Sequence, residues 1–534
     1  MERKTTTGIM LTLLSIGMLT LAFNIQLVKA NVSVTRAVHN IDTGLDYTRI
    51  QEAIDAPETL DGHTILVDAG TYYENVFLYK SLKLIGENPE TTIVDGSGIG
   101  DGIHVIANNV MINGFTFQNG YGGISLSYSS GDTITNNRIT LNQIGVTLDG
   151  SSNCNLIERN HVADNVEGIK LYSSSYNIIN ANQVVENVGV GIRLDYSTDN
   201  LVSHNNATLN VYCGIQLVYS EHSNVKKNVA TLNQIGIALH ASERNVIEDN
   251  EVTHNSEGIL LTFSNCNRIE ANEAVENGNG IRLYYSSSNK VSHNIASDNS
   301  EGISVQFSYD NKLEDNLAVS NSYCGIHLVE SEYTIVQMNI ASLNAEDGIV
   351  LHSSNNNKIT ENMIERNYRG ITLVESDYNR IEANTCVDNT RWGIVVDGSE
   401  HNVIEENIAT RNQHGGIILY YSSYNKVEQN EATNNGEYGI ILYGSDNNKI
   451  EENQAKKNNY GIYLFASSNN IIEKNVAAKN RMYGIAVAQD EGINSNNNKI
   501  EQNKALTNEE FDLYWDMTGM GNIWENNRYK TKNW

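Results

Sequence analysis

The chain has 534 residues, with 36 Lys and Arg against 64 Asp and Glu, giving a formal charge of −28 at pH 7. A surface of that sign repels phosphate, which excludes nucleic acid as a partner.

The first element is a targeting signal. Arg3 and Lys4 precede an apolar run from Gly8 to Phe23, and Val28-Lys29-Ala30 offers a small-residue cleavage site before Asn31, so residues 1–30 read as a signal peptide. Its removal takes away Arg3, Lys4 and Lys29 against Glu2, a net +2, and moves the charge from −28 to −30. No later apolar run is long enough to span a membrane. No Cys follows the signal to carry a lipid, and the C-terminal Lys530-Thr-Lys-Asn-Trp is no hydrophobic anchor. The expectation is an exported chain, secreted or held non-covalently at the cell surface, and periplasmic where an outer membrane exists.

Residues 31–61 read as an N-terminal cap. Within Thr48–Ile54 the spacing predicts a short helix with Ile50, Ala53 and Ile54 on one face, suited to plug the first coil of a stacked array. An uncapped coil would leave a sheet edge exposed.

Residues 62–507 form a repeat array. A Gly, a β-branched residue, any residue and then Leu or Val recur every 22 or 23 residues, as in GISL at Gly123, GIKL at Gly168, GIRL at Gly191 and Gly280, and GIYL at Gly461. A short fixed period of this kind marks a solenoid whose units bury their apolar faces only by stacking. Within a period apolar residues alternate over short runs, as Ile169 and Leu171 do, so each unit reads as a coil of short strands. Bends such as Ser173-Ser174-Ser175-Tyr176-Asn177 carry residues that tolerate left-handed backbone. Two Asn columns, Asn160 to Asn475 and Asn165 to Asn480, place like amides ~4.8 Å apart in stacked coils, where they bond to each other as ladders. The fold class is therefore all-β, a single-stranded right-handed parallel β-helix of about nineteen coils. Residues 508–534 close it: Trp515, Trp524 and Trp534 lie in the last twenty positions and are expected to form an aromatic C-terminal cap.

The repeat N-x-I-x-x-N-x-x-x-x-N-x-x-G-I-x-L-x-x-S resembles that of the NosD-like and carbohydrate-binding/sugar-hydrolase (CASH) group, parallel β-helix proteins of the pectin-lyase-like superfamily. The segment Gly70-Thr-Tyr72-Tyr-Glu74 is similar to the early coils of pectinesterase-like members. The resemblance specifies the fold strongly and the function weakly. It implies three kinds of activity: polysaccharide binding along a sheet face, polysaccharide lyase, hydrolase or epimerase chemistry, and copper-site accessory work. The catalytic phrases of the pectin- and alginate-acting families, D-P-H-D, G-H-G with D-D, and Arg-Pro clusters, do not occur here. Copper handling finds no support in spacing either, since the 13 His include no H-x-H.

Five Cys in an exported chain would suggest disulfides. Cys154 and Cys266, and Cys213 and Cys324, stand five coils apart, ~24 Å at strand spacing, against less than ~7 Å between bridged Cα atoms. YCGIQLV at Tyr212 and YCGIHLV at Tyr323 show the same offset, so a duplicated block explains the pairs and all five read as free thiols.

An acidic column, Glu382, Glu405, Glu428, Glu451, Glu473 and Glu501, runs strand by strand. Two readings exist. Arg380, Lys426, Lys449 and Lys499, two residues earlier, neutralise it by pairing, or Glu405, Glu428, Glu451 and Glu473 hold calcium. The first is preferred, with no metal and no cofactor expected.

The informative surface is the outward face of the G-I-x-L strand, two and four positions after each Gly. It carries His240 and the candidate glycan-binding residues Lys170, Tyr172, Arg193, Asp195, Arg282, Tyr284, Gln306, His327, His352, Tyr420 and Tyr443. Fifth-position aromatics such as Tyr196, Tyr219 and Tyr285 are expected to turn inward and stack. An exported scaffold binding a polysaccharide or surface glycan is the favoured reading; no catalytic residue is assigned and the oligomeric state is open.

Overall fold

A computed structural model describes residues 37–534; the signal segment falls outside the described residues. The chain winds into a right-handed parallel β-solenoid of about 20 turns. Each turn supplies one strand to each of three faces, and each strand pairs with its counterpart one turn on. One turn runs Arg268–Glu270 on face one, Glu273–Val275 on face two and Asn279–Tyr284 on face three. The register is strict: Ile259 pairs with Ile281 and Ile281 with Ile303, so like residues stack the length of the interior.

Every turn has the same internal column. Ile269, Ala274, Ile281 and Leu283 are wholly buried, and their equivalents form one continuous core. Glycine opens face three for a steric reason: a Cβ on Gly280 would lie 2.5 Å from the Gly302 carbonyl oxygen and 2.8 Å from Asn299 Nδ2. Gly and the following Ile thus both point inward.

The Asn ladders are as the spacing predicts. Asn250 Nδ2 donates to Asn272 Oδ1 at 2.9 Å and to the Val225 carbonyl at 2.9 Å, while Asn250 Oδ1 accepts from Asn228 N at 3.0 Å. Two further columns appear at the third bend, a serine ladder (Ser174 N to Ser197 Oγ, 3.0 Å) and a third Asn ladder (Asn155 N to Asn177 Oδ1, 2.8 Å). The bends differ from expectation in one respect. The left-handed residue is not the ladder Asn or Ser but its predecessor, of any type: Ala181, Glu186, Tyr196 and Asp199 have φ between 48° and 58°. Each costs about 1–2 kcal/mol, and the buried amide and hydroxyl bonds of the next residue offset it. That backbone also turns the fifth-position aromatics outward rather than inward. Tyr196 and Tyr219 are half exposed and stack on each other at 5.0 Å.

Both ends are closed. A six-residue helix, Ile50–Asp55, buries Ile50, Ala53 and Ile54, the face read from the sequence. Its first amides are held by Glu74, with Ile50 N at 3.1 Å and Gln51 N at 3.0 Å from the two carboxylate oxygens. An antiparallel strand, Val38–Asn40, additionally covers the edge of Thr64–Val67. At the far end Trp515, Trp524 and Trp534 pack on the core, Trp524 and Trp534 at 4.7 Å. All five cysteines are unbridged. Among the described residues no helix is long and apolar enough to cross a membrane.

The basic residues beside the acidic column pair with it. Arg380 reaches Glu382 at 3.1 Å and also Glu405, Lys426 reaches Glu428 at 2.5 Å, Lys449 reaches Glu451 and, at 2.8 Å, Glu473, and Lys499 reaches Glu501 at 2.6 Å. Hydrogen bonds from Lys449 and Lys474 hold the Glu451 carboxyl down at about 2. A depressed carboxyl stabilises the fold above the usual carboxylate range and ceases to do so as pH falls through its folded value. The melting temperature is therefore expected to fall between pH ~4.5 and ~2, and less steeply in Lys449→Ala. Added calcium should leave melting of the unaltered chain unchanged. A rise with calcium that Glu428→Gln and Glu451→Gln abolish would replace the ion pairs by a cation ladder.

Candidate functional site

Face three is the chemically varied surface. Because Gly and the next Ile both face inward, three outward columns run along it, one immediately before Gly and the others two and four residues after. All the sequence-derived candidates lie in the latter two columns, and the structure groups them into three stretches.

In the N-terminal stretch Arg193 Nε lies 2.9 Å from Asp195, and Lys170 Nζ 3.3 Å from Glu167. Tyr172 stands exposed, edge-on to Tyr196 at 5.8 Å. Beyond it, Val190, Cys213, Ile235 and Ala238 form a small apolar cluster separate from the main core.

The central stretch is polar. Arg282 bonds Glu257 at 3.1 Å and Gln306 at 2.9 Å, and covers the Tyr284 ring at 5.5 Å. His327 Nδ1 is 3.0 Å from Glu301, and His327 Nε2 is 2.9 Å from His352 Nδ1. Burial pushes the Glu301 carboxyl up, but hydrogen bonds from His327 and Ser304 outweigh it and the net shift is downward. Burial and the neighbouring His327 lower His352. Asp347, fully buried, is clasped by Arg369 at 2.7 and 2.8 Å and by Thr372 at 2.6 Å.

The C-terminal stretch is an aromatic groove of about 510 Å³, lined by Trp392, Tyr438 and Tyr460 in the column before Gly, by Ile441 and Tyr463 in the middle column and by Tyr420, Tyr443 and Phe465 in the third, together with Arg369 and Asp397. Tyr438 and Tyr460 stack at 5.2 Å, Tyr460 and Tyr463 at 5.3 Å, and Tyr420 and Tyr443 at 5.2 Å. The Tyr443 hydroxyl bonds Asp490, which pushes it up to about 12.

Of the candidates, only Tyr420 and Tyr443 enter this groove. Lys170, Tyr172, Arg193 and Asp195 stand together far from it, and Arg282, Tyr284, Gln306, His327 and His352 lie between. Sequence reasoning missed Trp392, Tyr438 and Tyr460 because alternation counted from Gly turns the preceding residue inward. The signal was present in W-G-I at Trp392 and Y-G-I at Tyr438, Tyr460 and Tyr483. It also missed that Glu301, Cys324 and His327, from neighbouring coils, converge on one point.

Comparison with known proteins agrees with this architecture. Residues 319–455 and 393–528 match the family described as right handed beta helix region, and residues 71–210 and 202–305 match periplasmic copper-binding protein (NosD). A cell surface glycoprotein of Methanothermus fervidus is 44% identical over 102 residues, which are 19% of this chain and 17% of that protein. A DFA-IIIase of Arthrobacter chlorophenolicus A6 is similar over 50% of this chain and 87% of its own, at 17% identity and a TM-score of 0.41. The A-module of the Azotobacter vinelandii mannuronan C-5 epimerase AlgE6 is similar over 74% of this chain and 93% of its own, at 15% identity and a TM-score of 0.33. With matches running from residue 71 to residue 528 and the coil register of the whole array, the chain is a NosD-like parallel β-helix repeat protein.

Proposed function

We propose that the protein is a cell-surface or extracellular scaffold that binds polysaccharide along face three, with the aromatic groove around Trp392 as its principal contact. The groove carries the reading. Rings repeated at the coil spacing line the groove with apolar surface several sugar units long, against which the C–H faces of a glycan chain can pack, and Arg369, Asp397 and the tyrosine hydroxyls supply hydrogen bonds. The similarity of one stretch to a cell surface glycoprotein supports the location, and so does the reading of residues 1–30 as an export signal.

The test is affinity electrophoresis against a panel of neutral and acidic polysaccharides. At least one should retard the unaltered chain, and Trp392→Ala or Tyr463→Ala should each weaken retention by about tenfold, the equivalent of one lost stacking contact at ~1.4 kcal/mol. Tyr176→Ala, on an exposed bend, should bind as the parent does. Retention indifferent to Trp392 and Tyr463, or no retention by any polymer, would remove the groove from the account. New reducing or unsaturated ends in the retained polymer would turn the scaffold into an enzyme.

A further inference from the structure

The two copies of the duplicated block provide an internal comparison at one point on face three. Cys213 and Cys324 occupy equivalent strand positions in YCGIQLV and YCGIHLV, and both are fully buried. Cys213 packs in an apolar cluster with Val190 one coil before, Ile235 one coil after and Ala238, with the Arg193 charge nearby. Around Cys324 the coil before contributes Glu301 in the position of Val190, and His327 replaces Gln216 on the cysteine's own strand. The same backbone thus carries an apolar plug in one copy and a set of ligating atoms in the other. A Glu301 carboxylate oxygen, Cys324 Sγ and a His327 ring nitrogen all lie within 4.8 Å of one another.

We propose that Glu301, Cys324 and His327 bind one divalent cation of the zinc class through carboxylate, thiolate and imidazole. Ligand atoms ~2.0–2.3 Å from a common tetrahedral ion are about 3.3–3.8 Å apart, so Glu301 and His327 Nδ1, 3.0 Å apart, open slightly and the Cys324 Sγ, within 4.8 Å of both, closes by about 1 Å at most. The ion takes the place of the proton between Glu301 and His327 Nδ1. His327 Nε2–H keeps its bond to His352 Nδ1 at 2.9 Å, the kind of outer partner that fixes the tautomer of a ligating imidazole. Binding releases two protons to solvent, that of the Cys324 thiol, which becomes a thiolate, and the one displaced from between Glu301 and His327 Nδ1. One sulfur, one nitrogen and one oxygen donor suit zinc, whereas copper(I), the reduced form of the metal in the matching family's name, is favoured by sulfur-rich sets. Three protein ligands leave a fourth position open for water or a ligand oxygen, as in catalytic rather than structural zinc sites.

The experiment uses the reduced, chelator-stripped chain titrated with cobalt(II) as a spectroscopic stand-in, followed by displacement with zinc. One equivalent of cobalt should produce the near-ultraviolet thiolate-to-cobalt band, and zinc should abolish it. The band should survive in Cys213→Ala and vanish in Cys324→Ala, His327→Gln and Glu301→Val. The last two install the residues that the sister coil accommodates, so they remain informative if Cys324→Ala does not fold; circular dichroism and melting check each variant. No band in the unaltered chain, or a band that persists in folded His327→Gln or is lost in Cys213→Ala, would overturn the site and leave the three residues as a hydrogen-bonded cluster.

Discussion

Replacing Gly280 by alanine is expected to cost about 3 kcal/mol or more, at the upper end for an overpacked interior. The added methyl would meet the Gly302 carbonyl oxygen at 2.5 Å and Asn299 Nδ2 at 2.8 Å. Neither can withdraw, since the first is backbone of the next coil and the second is held in the amide ladder. The collision therefore pushes two coils apart and strains a ladder at once. Gly44→Ala provides the contrast: nothing lies within 4 Å of its Cβ, but its φ of +72° is left-handed, so the loss there should be about 1 kcal/mol. Urea midpoints measure both. Equal losses would mean that the next coil gives way to the methyl and that close packing does not select glycine at the head of face three.

The second large effect is expected at Asn250→Leu. Leucine removes the donor to Asn272 Oδ1 and to the Val225 carbonyl, each at 2.9 Å, and the acceptor for the backbone and side-chain amides of Asn228, each at 3.0 Å. All these groups are buried, and each one orphaned costs about 1–3 kcal/mol, so the variant should lose several kcal/mol and open first at that coil. Lys226→Ala, which gives up only a half-exposed ion pair to Glu248 at 3.9 Å, should change stability by less than about 1 kcal/mol. Hydrogen exchange can locate the opening. Uniform weakening without faster exchange around Val225, Asn228 and Asn272 would contradict the ladder's role.

What could be read from the sequence was whatever the interior imposes on every coil. Gly280, Ile281 and Asn272 have equivalents in turn after turn because a stacked coil admits few alternatives at those points, so period, strand order and ladders were visible as columns of letters. The capping helix was legible for the same reason, since Ile50, Ala53 and Ile54 must meet the core. The bends were legible, as at Ser173 and Tyr176, but not which residue in each turns left-handed, because that residue, Ala181 or Glu186 for instance, is not selected by type; the energy that holds it there comes from its neighbour. The outward surface was legible only in part. Tyr420 and Tyr443 were found by counting from Gly, but Trp392 and Tyr438 depend on two successive inward residues, which simple alternation does not contain. Glu301 and Cys324 are 23 residues apart in the chain and adjacent in register, a relation visible only when coils are aligned as rows.

The coil-to-coil pairing also sets how the molecule bears load. Its interstrand hydrogen bonds lie along the solenoid axis, so tension applied at the two ends pulls them in line and one coil at a time rather than shearing many together. Each coil that peels away frees 22 or 23 residues, about 75 Å of extended chain, in exchange for ~4.8 Å of stacked height. Tension across the array would thus meet a stiff rod that yields from its ends as an extensible tether, lengthening in near-equal increments while the remaining coils stay stacked.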